Sequence, residues 1–579
     1  MKDLRFILKY LGKYKKDLFL AIAFVVIETV FELFIPFLMK DIIDTGIHEG
    51  DMRQILISGA LIIVCAFFSL ITGHFYAKYN ARLVTNYSYT LRQEAFQKIQ
   101  EYSFSNLDHF QTASLVTRIT NDVMVMQNTL VGGIRPLSRS PLLLIMGIGL
   151  SFVMAPELAW IFIVSIPVLG SILFLIIWRT APKYSDLQKN IDDLNRVVRE
   201  NVSAIRTVKS YVREEYEIEK FDQANTKVMK TTKNTFKIAQ LNLPSFQLVM
   251  YGVTVLILGL GAIMVHNEDL KVGSLSAILS YVAQIVNSLM LLSNVFLLIN
   301  RSFASSKRLK EILTEEPTIC SKEDALKEVS QGDIEFKNVS FKYHEQSEEY
   351  ILTNINFKIN QGESIGILGG TGSAKSTLVS LILRLYDVTE GQINLGGNDV
   401  KDYDLKALRN GVSFVLQNNV LFSGTIRENL LWGNPNASDA ELEEVCKLAC
   451  VDEFLSRLPG GLDYDLGQGG VNVSGGQKQR LCIARALLKN PKVIIFDDST
   501  SACDMETERK IMAAIRNLKD VTNIVIAQRI TSVMNADKII ILDNGQIVDI
   551  GTHQELLESS AIYKELYSQQ LGGVIECHQ

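Results

Sequence analysis

Ser364-Ile-Gly-Ile-Leu-Gly-Gly-Thr-Gly-Ser-Ala-Lys-Ser-Thr377 decides what the second half of this 579-residue chain is. An apolar, β-branched run enters a glycine-rich turn, and the turn opens into residues that suit the start of a helix. Such a turn points successive backbone N–H groups inward, and the helix N-terminus behind it adds positive potential, so the segment is suited to hold phosphates. Gly369, Gly370, Thr371, Gly372, Ser373 and Ala374 form the cradle, and Thr377 follows in the helix. Lys375 is placed to reach the β- and γ-phosphates and Ser376 to ligate Mg²⁺. One position departs from the strict G-x-x-x-x-G-K-[ST] spacing, because Ala374 stands where the last glycine belongs. If that position requires positive φ, its methyl group costs ~1–2 kcal/mol. If the backbone there is ordinary helix, the cost vanishes. The sequence leaves both open.

Downstream, Val493-Ile-Ile-Phe-Asp-Asp498 reads as a buried strand that ends in two acids. Asp497 would hold Mg²⁺. More specific is Val471–Leu487, VNVSGGQKQRLCIARAL. On these residues the chain resembles the ATP-binding cassette family, with Ser474-Gly475-Gly476-Gln477 in the place of its signature motif. Gln417, in FVLQNNVLFSGTIRENL, resembles the Q-loop residue that meets Mg²⁺ and water; Asp504, in SACD, resembles the D-loop acid. Tyr343, in VSFKY, resembles the aromatic that stacks on adenine. The resemblance implies an ATPase using ATP and Mg²⁺ and coupled to transport.

Working upstream explains what is coupled to it. Hydrophobic residues make up 47% of the chain while 21% are charged, a mixture that suits membrane spans joined to a water-soluble domain. Six apolar stretches, roughly Leu18–Met39, Ile55–Phe75, Pro136–Met154, Trp160–Trp178, Pro244–Val265 and Leu275–Ile299, each approach the ~20 residues that a bilayer demands. Arg179–Gln240 carries thirteen Lys and Arg, whereas the short loop 155–159 carries none, so the long connections and the N-terminus are expected on the cytoplasmic side of the plasma membrane. Met1–Asp17 has apolar residues at helical spacing among six Lys and Arg, the pattern of a helix lying on the membrane surface. No cleavable leader is read there. The expected order is this elbow helix (1–17), a six-helix membrane domain with long cytoplasmic extensions (18–304), a linker (305–331), an α/β nucleotide-binding domain with a mainly parallel sheet (332–570) and a tail (571–579). With six spans ahead of the cassette, the resemblance covers nearly the whole chain and is to exporter half-transporters. The seven scattered cysteines have no metal-ligand spacing and are expected to be reduced thiols; a net charge of −5 gives no reason to expect nucleic acid as a partner.

Three residues depart from the family pattern at the phosphate side. Asp498 takes the place of the glutamate that orients the attacking water. On a fixed strand end the shorter side chain withdraws the carboxylate by ~1.3 Å, and a displacement of that size can cost ~100-fold in rate. Gln528, in NIVIAQRITSV, takes the place of a histidine and cannot become cationic as charge develops. Ala374 is the third. The signature is intact. In this family two cassettes enclose two ATPs, each between one chain's phosphate loop and the other's signature. The resemblance therefore implies a slow site on this chain and a partner half-transporter bearing the usual glutamate and histidine, completed by this chain's signature. A homodimer in which Asp498 works from a shifted backbone is the competing arrangement.

Cargo is read from the membrane half. Glu28 and Glu32 lie four apart on one helix face, which suggests recognition of cationic amphipathic molecules; Gln284 and Asn287 are expected along the same path. The alternative is that the two acids lie high in a helix where water or an arginine meets them. Peptide, lipid or siderophore cargo, and an ATP-gated regulator that does not pump, remain alternatives to a multidrug-type exporter.

Overall fold

The structure, a computed structural model, describes residues 2–344, 347–499, 503–518 and 520–575. Thr500, Ser501 and Ala502 before the D-loop acid, and Cys577 with the end of the tail, lie outside the described residues. The chain divides into two compact units, one of Met1–Gln100 with Thr112–Glu315, the other of Glu101–Gln111 with Glu316–Gln579.

The first unit is helical, and six of its helical stretches are long and apolar enough to cross a membrane. Its principal helices are α1 (Lys15–Asp41), α2 (Met52–Glu101), α3 (Val123–Met154), α4 (Pro156–Ser203), α5 (Glu214–Ala239), α6 (Asn242–His266) and α7 (Val272–Thr314). The polar connections after the second and fourth apolar runs begin as continuations of the same helices, to Glu101 in α2 and Ser203 in α4, before shorter helices and α5 follow. At 1.5 Å per residue, a 50-residue helix such as α2 runs about 75 Å, far beyond a hydrocarbon core of about 30 Å. Pro36, Pro136, Pro141 and Pro167 sit inside helices, where packed neighbours satisfy the freed backbone groups. Large apolar side chains such as Phe174, Trp178 and Leu248 are exposed, as a lipid-facing surface requires.

Two close approaches fix α7. Its second residue, Gly273, donates its N–H to Asp44 Oδ1 at 2.6 Å, and a Cβ at Gly273 would collide with the Lys40 carbonyl and with the Asp44 carboxylate. An acid at a helix N-terminus satisfies an orphan donor and the helix dipole together. At the other end, Asp122 accepts from Ser305 Oγ (2.8 Å) and Arg308 Nε (2.7 Å).

The N-terminal elbow differs from the surface helix expected. It is a helix over Lys2–Leu8 followed by a tighter 3₁₀ turn over Lys9–Tyr14. Ile7 is fully buried in a cluster with Tyr87, Leu91, Val123, Met126 and Leu309, and Leu4 and Leu11 pack beside it. The apolar stripe is thus matched to neighbouring helices. Periodicity gives the stripe but cannot say whether lipid or protein covers it.

The second unit holds two sheets. With β6 (Val412–Val415), β8 (Thr522–Ile526), β9 (Lys538–Asp543) and β10 (Gln546–Gly551), the larger has the order β10-β9-β3-β8-β7-β6, parallel except for the terminal β9–β10 pair. Its central strands β3 (Ser364–Leu368) and β7 (Val493–Asp497) are buried at every residue, which explains their unbroken apolar runs. Alternate side chains serve separate cores. Ile494 and Phe496 face one, and Val493 and Ile495 the other. The smaller sheet, β2-β1-β4-β5 with β4 (Glu390–Leu395) and β5 (Asn398–Asp399), is antiparallel. The sequence reading gave no place to it, because β1 (Ile334–Phe341) and β2 (Leu352–Ile359) are as β-branched as the parallel strands and composition does not encode direction.

Candidate functional site

β3 delivers the phosphate loop at its C-terminal end, and β7 and β8 (Thr522–Ile526) deliver their own ends beside it, the usual ligand-binding edge of an open α/β sheet. The cavity there has a volume of about 320 Å³ and is lined by Thr371 to Thr377, Gln417, Asp497, Asp498 and Gln528, with Ile351 and Ile526. Eleven residues singled out from sequence therefore meet at one place.

Helix α8 (Lys375–Ile382) begins directly behind the loop. Ala374 caps it with φ 71° and ψ 23°, a left-handed conformation. The ordinary-helix alternative for this position is thereby excluded, and the methyl group carries the strain of ~1–2 kcal/mol that glycine avoids. Lys375 Nζ donates to the carbonyls of Gly369 (2.8 Å) and Gly370 (2.7 Å). Burial lowers its pKa, against the attraction of Asp497 and Asp498. Tyr343 is exposed beside the loop rather than packed inward; its hydroxyl lies 2.8 Å from Thr377 Oγ1.

Asp497 closes β7 and is buried. Burial pushes its carboxyl up, a bond from Ser376 draws it back, and the charge of Asp498 pushes it further up. With Ser376 and Gln417 it supplies hard oxygen donors in one cavity, a set that fits Mg²⁺. Among the described residues no cluster of three or more His, Cys, Asp or Glu is placed to hold a metal. An ion here would complete its shell with phosphate and water, as Mg²⁺ commonly does.

Asp498 continues the ladder through its N–H, which donates to the Ile526 carbonyl at 2.9 Å, but turns to φ 46°. Its Oδ2 accepts from Gln528 Nε2 at 3.2 Å. Burial raises its pKa, while Lys375 and Arg529 pull it down. The two unusual residues thus contact each other. The sequence reading missed Gln570, on helix α11 (Ala561–Ile575), whose amide brackets the same segment. Gln570 Nε2 donates to the Gln528 carbonyl (2.9 Å), and its Oε1 accepts from the Ile530 N–H (2.9 Å). No motif marks a residue so far along the chain.

Ser474, Gly475, Gly476 and Gln477 do not line this cavity. They open helix α9 (Gly475–Leu487) in a reciprocal cap, with the Ser474 N–H donating to Gln477 Oε1 (2.8 Å) and the Gln477 N–H to Ser474 Oγ (3.3 Å). Ser474 and Gly475 are exposed. Asp504 caps helix α10 (Met505–Arg516), accepting from the Thr507 N–H at 2.9 Å, and that bond lowers its pKa. One fold thus presents two separate functional surfaces, one cradling phosphates and one projecting a helix N-terminus.

The chain excursion Glu101–Gln111 belongs to this unit. Tyr386 donates to Asp108 Oδ2 at 2.6 Å, and its ring meets Phe104 edge-on. Asn106 Nδ2 donates to the Glu316 carbonyl.

In the membrane unit, a cavity of about 590 Å³ lies among α2, α3 and α7, and Gln284 and Asn287 line it. Glu28 and Glu32 do not. Each is ion-paired with an arginine from α3, Glu28 with Arg135 and Glu32 with Arg139, and it is these arginines that line the cavity. Recognition of cationic cargo by these acids requires them to meet the path directly, but the guanidinium groups of Arg135 and Arg139 line it instead. The signal was present: Arg135 and Arg139 are four apart, as are the two acids.

The family model described as ABC transporter transmembrane region matches residues 18–289, and that described as ABC transporter matches 352–501. YfiB of Bacillus subtilis (strain 168), an uncharacterised ABC transporter ATP-binding protein, is 37% identical over 98% of both chains. YgaD of the same organism, named as a candidate multidrug export ATP-binding/permease protein, is 32% identical over 97% of this chain and 98% of its own. A solved bacterial Atm1-family ABC exporter with ATP bound superimposes with TM-score 0.80 at 23% identity, covering 96% of this chain and 98% of that one.

Proposed function

The chain belongs to the ABC transporter family as an exporter half-transporter with its membrane region first, and from that premise we propose that it works as the slow-site subunit of a two-chain exporter. Its N-terminus and nucleotide-binding domain face the cytoplasm, following the positive charge of the long connections. Its phosphate loop and Asp497 hold MgATP. Asp498 stands where a reaching base is needed, and the exposed signature helix completes the site of a partner bearing glutamate and histidine. The cargo is a small amphipathic molecule. The observation that carries this reading is the contact between Gln528 Nε2 and Asp498 Oδ2 inside the phosphate cavity. The short acid is engaged by an amide that cannot become cationic, and both are remote from an intact signature. The test is ATP turnover by the purified chain alone and then mixed with a half-transporter of the glutamate–histidine type. Slow turnover alone and a large gain on mixing are expected. Brisk turnover alone, abolished by Asp498→Ala, overturns the proposal in favour of a homodimer.

A further inference from the structure

In each Glu–Arg pair of the membrane unit it is the basic member that lines the cavity. The Arg135 side chain is 42% exposed and that of Glu28 only 5%. Glu28 sits behind α2, close enough to Gly73 that a Cβ there would stand 3.2 Å from Glu28 Oε1. The Arg135 guanidinium lies over the Tyr76 ring at 5.6 Å, which orients it along the cavity wall. Arg139 and Glu32 are exposed alike, at 25% and 26%, but only Arg139 lines the cavity. The remaining wall is apolar at Val131, Leu143 and Leu291. Four buried polar atoms of cavity-lining residues have no hydrogen-bond partner: Arg135 Nε, Arg139 Nε, Asn80 Oδ1 and Gln284 Oε1. Buried polar groups left in this condition are costly; the two Nε–H donors suit an anion, whereas the Asn80 and Gln284 oxygens need donors such as water or a ligand hydroxyl.

We propose that this cavity binds amphiphilic anions, with a carboxylate or similar head on Arg135 and Arg139 and an apolar body along the aliphatic wall. Guanidinium groups offer several N–H donors in a planar fork, and each arginine keeps donors beyond those given to its glutamate. A cationic ligand in the cavity would instead face the two guanidinium groups, since neither carboxylate lines it. A volume of about 590 Å³ suits a ligand of small-molecule size. The proposal rests on the reading of the chain as a subunit that exports small amphipathic molecules, and it names their charge.

Three probes sharing one apolar body test it: pyrenebutyrate, pyrenebutanol and pyrenebutyl-trimethylammonium, titrated by fluorescence onto the full chain in lipid nanodiscs, with empty discs subtracted. Pyrenebutyrate is expected to bind at least tenfold more tightly than the ammonium probe. Neutralising both pairs together, by Glu28→Gln, Arg135→Gln, Glu32→Gln and Arg139→Gln, leaves no buried charge alone. It is expected to weaken pyrenebutyrate at least tenfold and pyrenebutanol less than twofold. Equal or tighter binding of the ammonium probe to the unaltered chain overturns the proposal, and so does unchanged pyrenebutyrate affinity in the neutralised chain. Should the neutralised chain not fold, the ranking of the three probes on the unaltered chain decides alone. Binding is read without nucleotide, so a brisk ATP site would sink the slow-site reading and leave this one standing. Failure of the export reading would show as bound anion that ATP and a partner do not move across a vesicle membrane.

Discussion

The phosphate side and the signature side of the α/β unit contrast sharply. On the phosphate side stand the three residues read from sequence as departures from the family pattern; Ala374 (φ 71°) and Asp498 (φ 46°) have left-handed backbone, and Asp498 and Gln528 are in contact with each other. On the signature side, Ser474 and Gln477 form a complete reciprocal cap. The difference teaches which functions depend on side-chain reach. Holding a polyphosphate relies on backbone N–H groups and one lysine, none of which the substitutions at 498 and 528 remove. Orienting water relies on a carboxylate at the right distance, and one methylene decides that. In the proposed two-chain arrangement the signature would act on a nucleotide held by the partner, so its integrity would not require this chain's own site to be fast.

The largest effect expected breaks the contrast outright. Restoring both side chains, by Asp498→Glu with Gln528→His, should raise ATP turnover of the isolated chain about 100-fold, the size of effect that a misplacement near 1 Å produces. Single-turnover measurements on the purified protein check it, and an unchanged rate would place the limitation outside these two residues. A smaller effect addresses the other surface. Gly475→Asp puts a carboxylate at the exposed start of α9, where it would face the partner's nucleotide and repel its phosphates. Turnover of the two-chain complex should fall by about tenfold or more, the tenfold being 1.4 kcal/mol of lost transition-state stabilisation. ATP affinity of this chain's own cavity should not change, and equal losses in both would show that the surfaces are not separable.

A third substitution sharpens the contrast through the backbone. Ala374→Gly removes a Cβ from a residue at φ 71° and should stabilise the domain by about 1 kcal/mol. For a unit of this size that is roughly 2–4 °C in unfolding temperature. Gly372→Ala provides the opposite control, because Gly372 also has positive φ, 85°, and open space around it, so only backbone strain is added. Calorimetry on the two variants should move in opposite directions.

What the sequence could and could not reveal follows from the range of each interaction. The six apolar runs and the loop–strand–helix spacing are local patterns, and they place both units and eleven residues of the nucleotide cavity. Backbone angle at Ala374 is local too, but the residue alone does not determine it, since an alanine gives no sign of positive φ. The pairing of Glu28 with Arg135 joins residues 107 positions apart. Matched four-residue spacings on α1 and α3 hinted at it, yet nothing in either segment says that the two helices are neighbours. The direction of β1 and β2, and the packing of Ile7 among distant helices, are likewise set by tertiary partners.

Gln570 is the smallest lever and the one that ties the C-terminal helix to the contrast. Its amide makes two bonds to the backbone of Gln528 and Ile530, so it positions the Gln528 segment, which corresponds to the family's switch segment, without itself lining the phosphate cavity. Both bonds are at least partly exposed, which puts each toward the low end of the ~0.5–1.5 kcal/mol typical of such bonds. If the proposed slow site holds, Gln570→Ala in the unaltered chain should leave turnover within measurement error. In the Asp498→Glu, Gln528→His background a histidine must be held against developing charge, and the same substitution should lower turnover about threefold, near 0.7 kcal/mol. ATP affinity should stay constant in both. A double-mutant cycle reads the difference directly. Equal losses in the two backgrounds would mean that Gln570 supports the fold in general, whereas coupling confined to the restored site would show that α11 acts by aiming the switch.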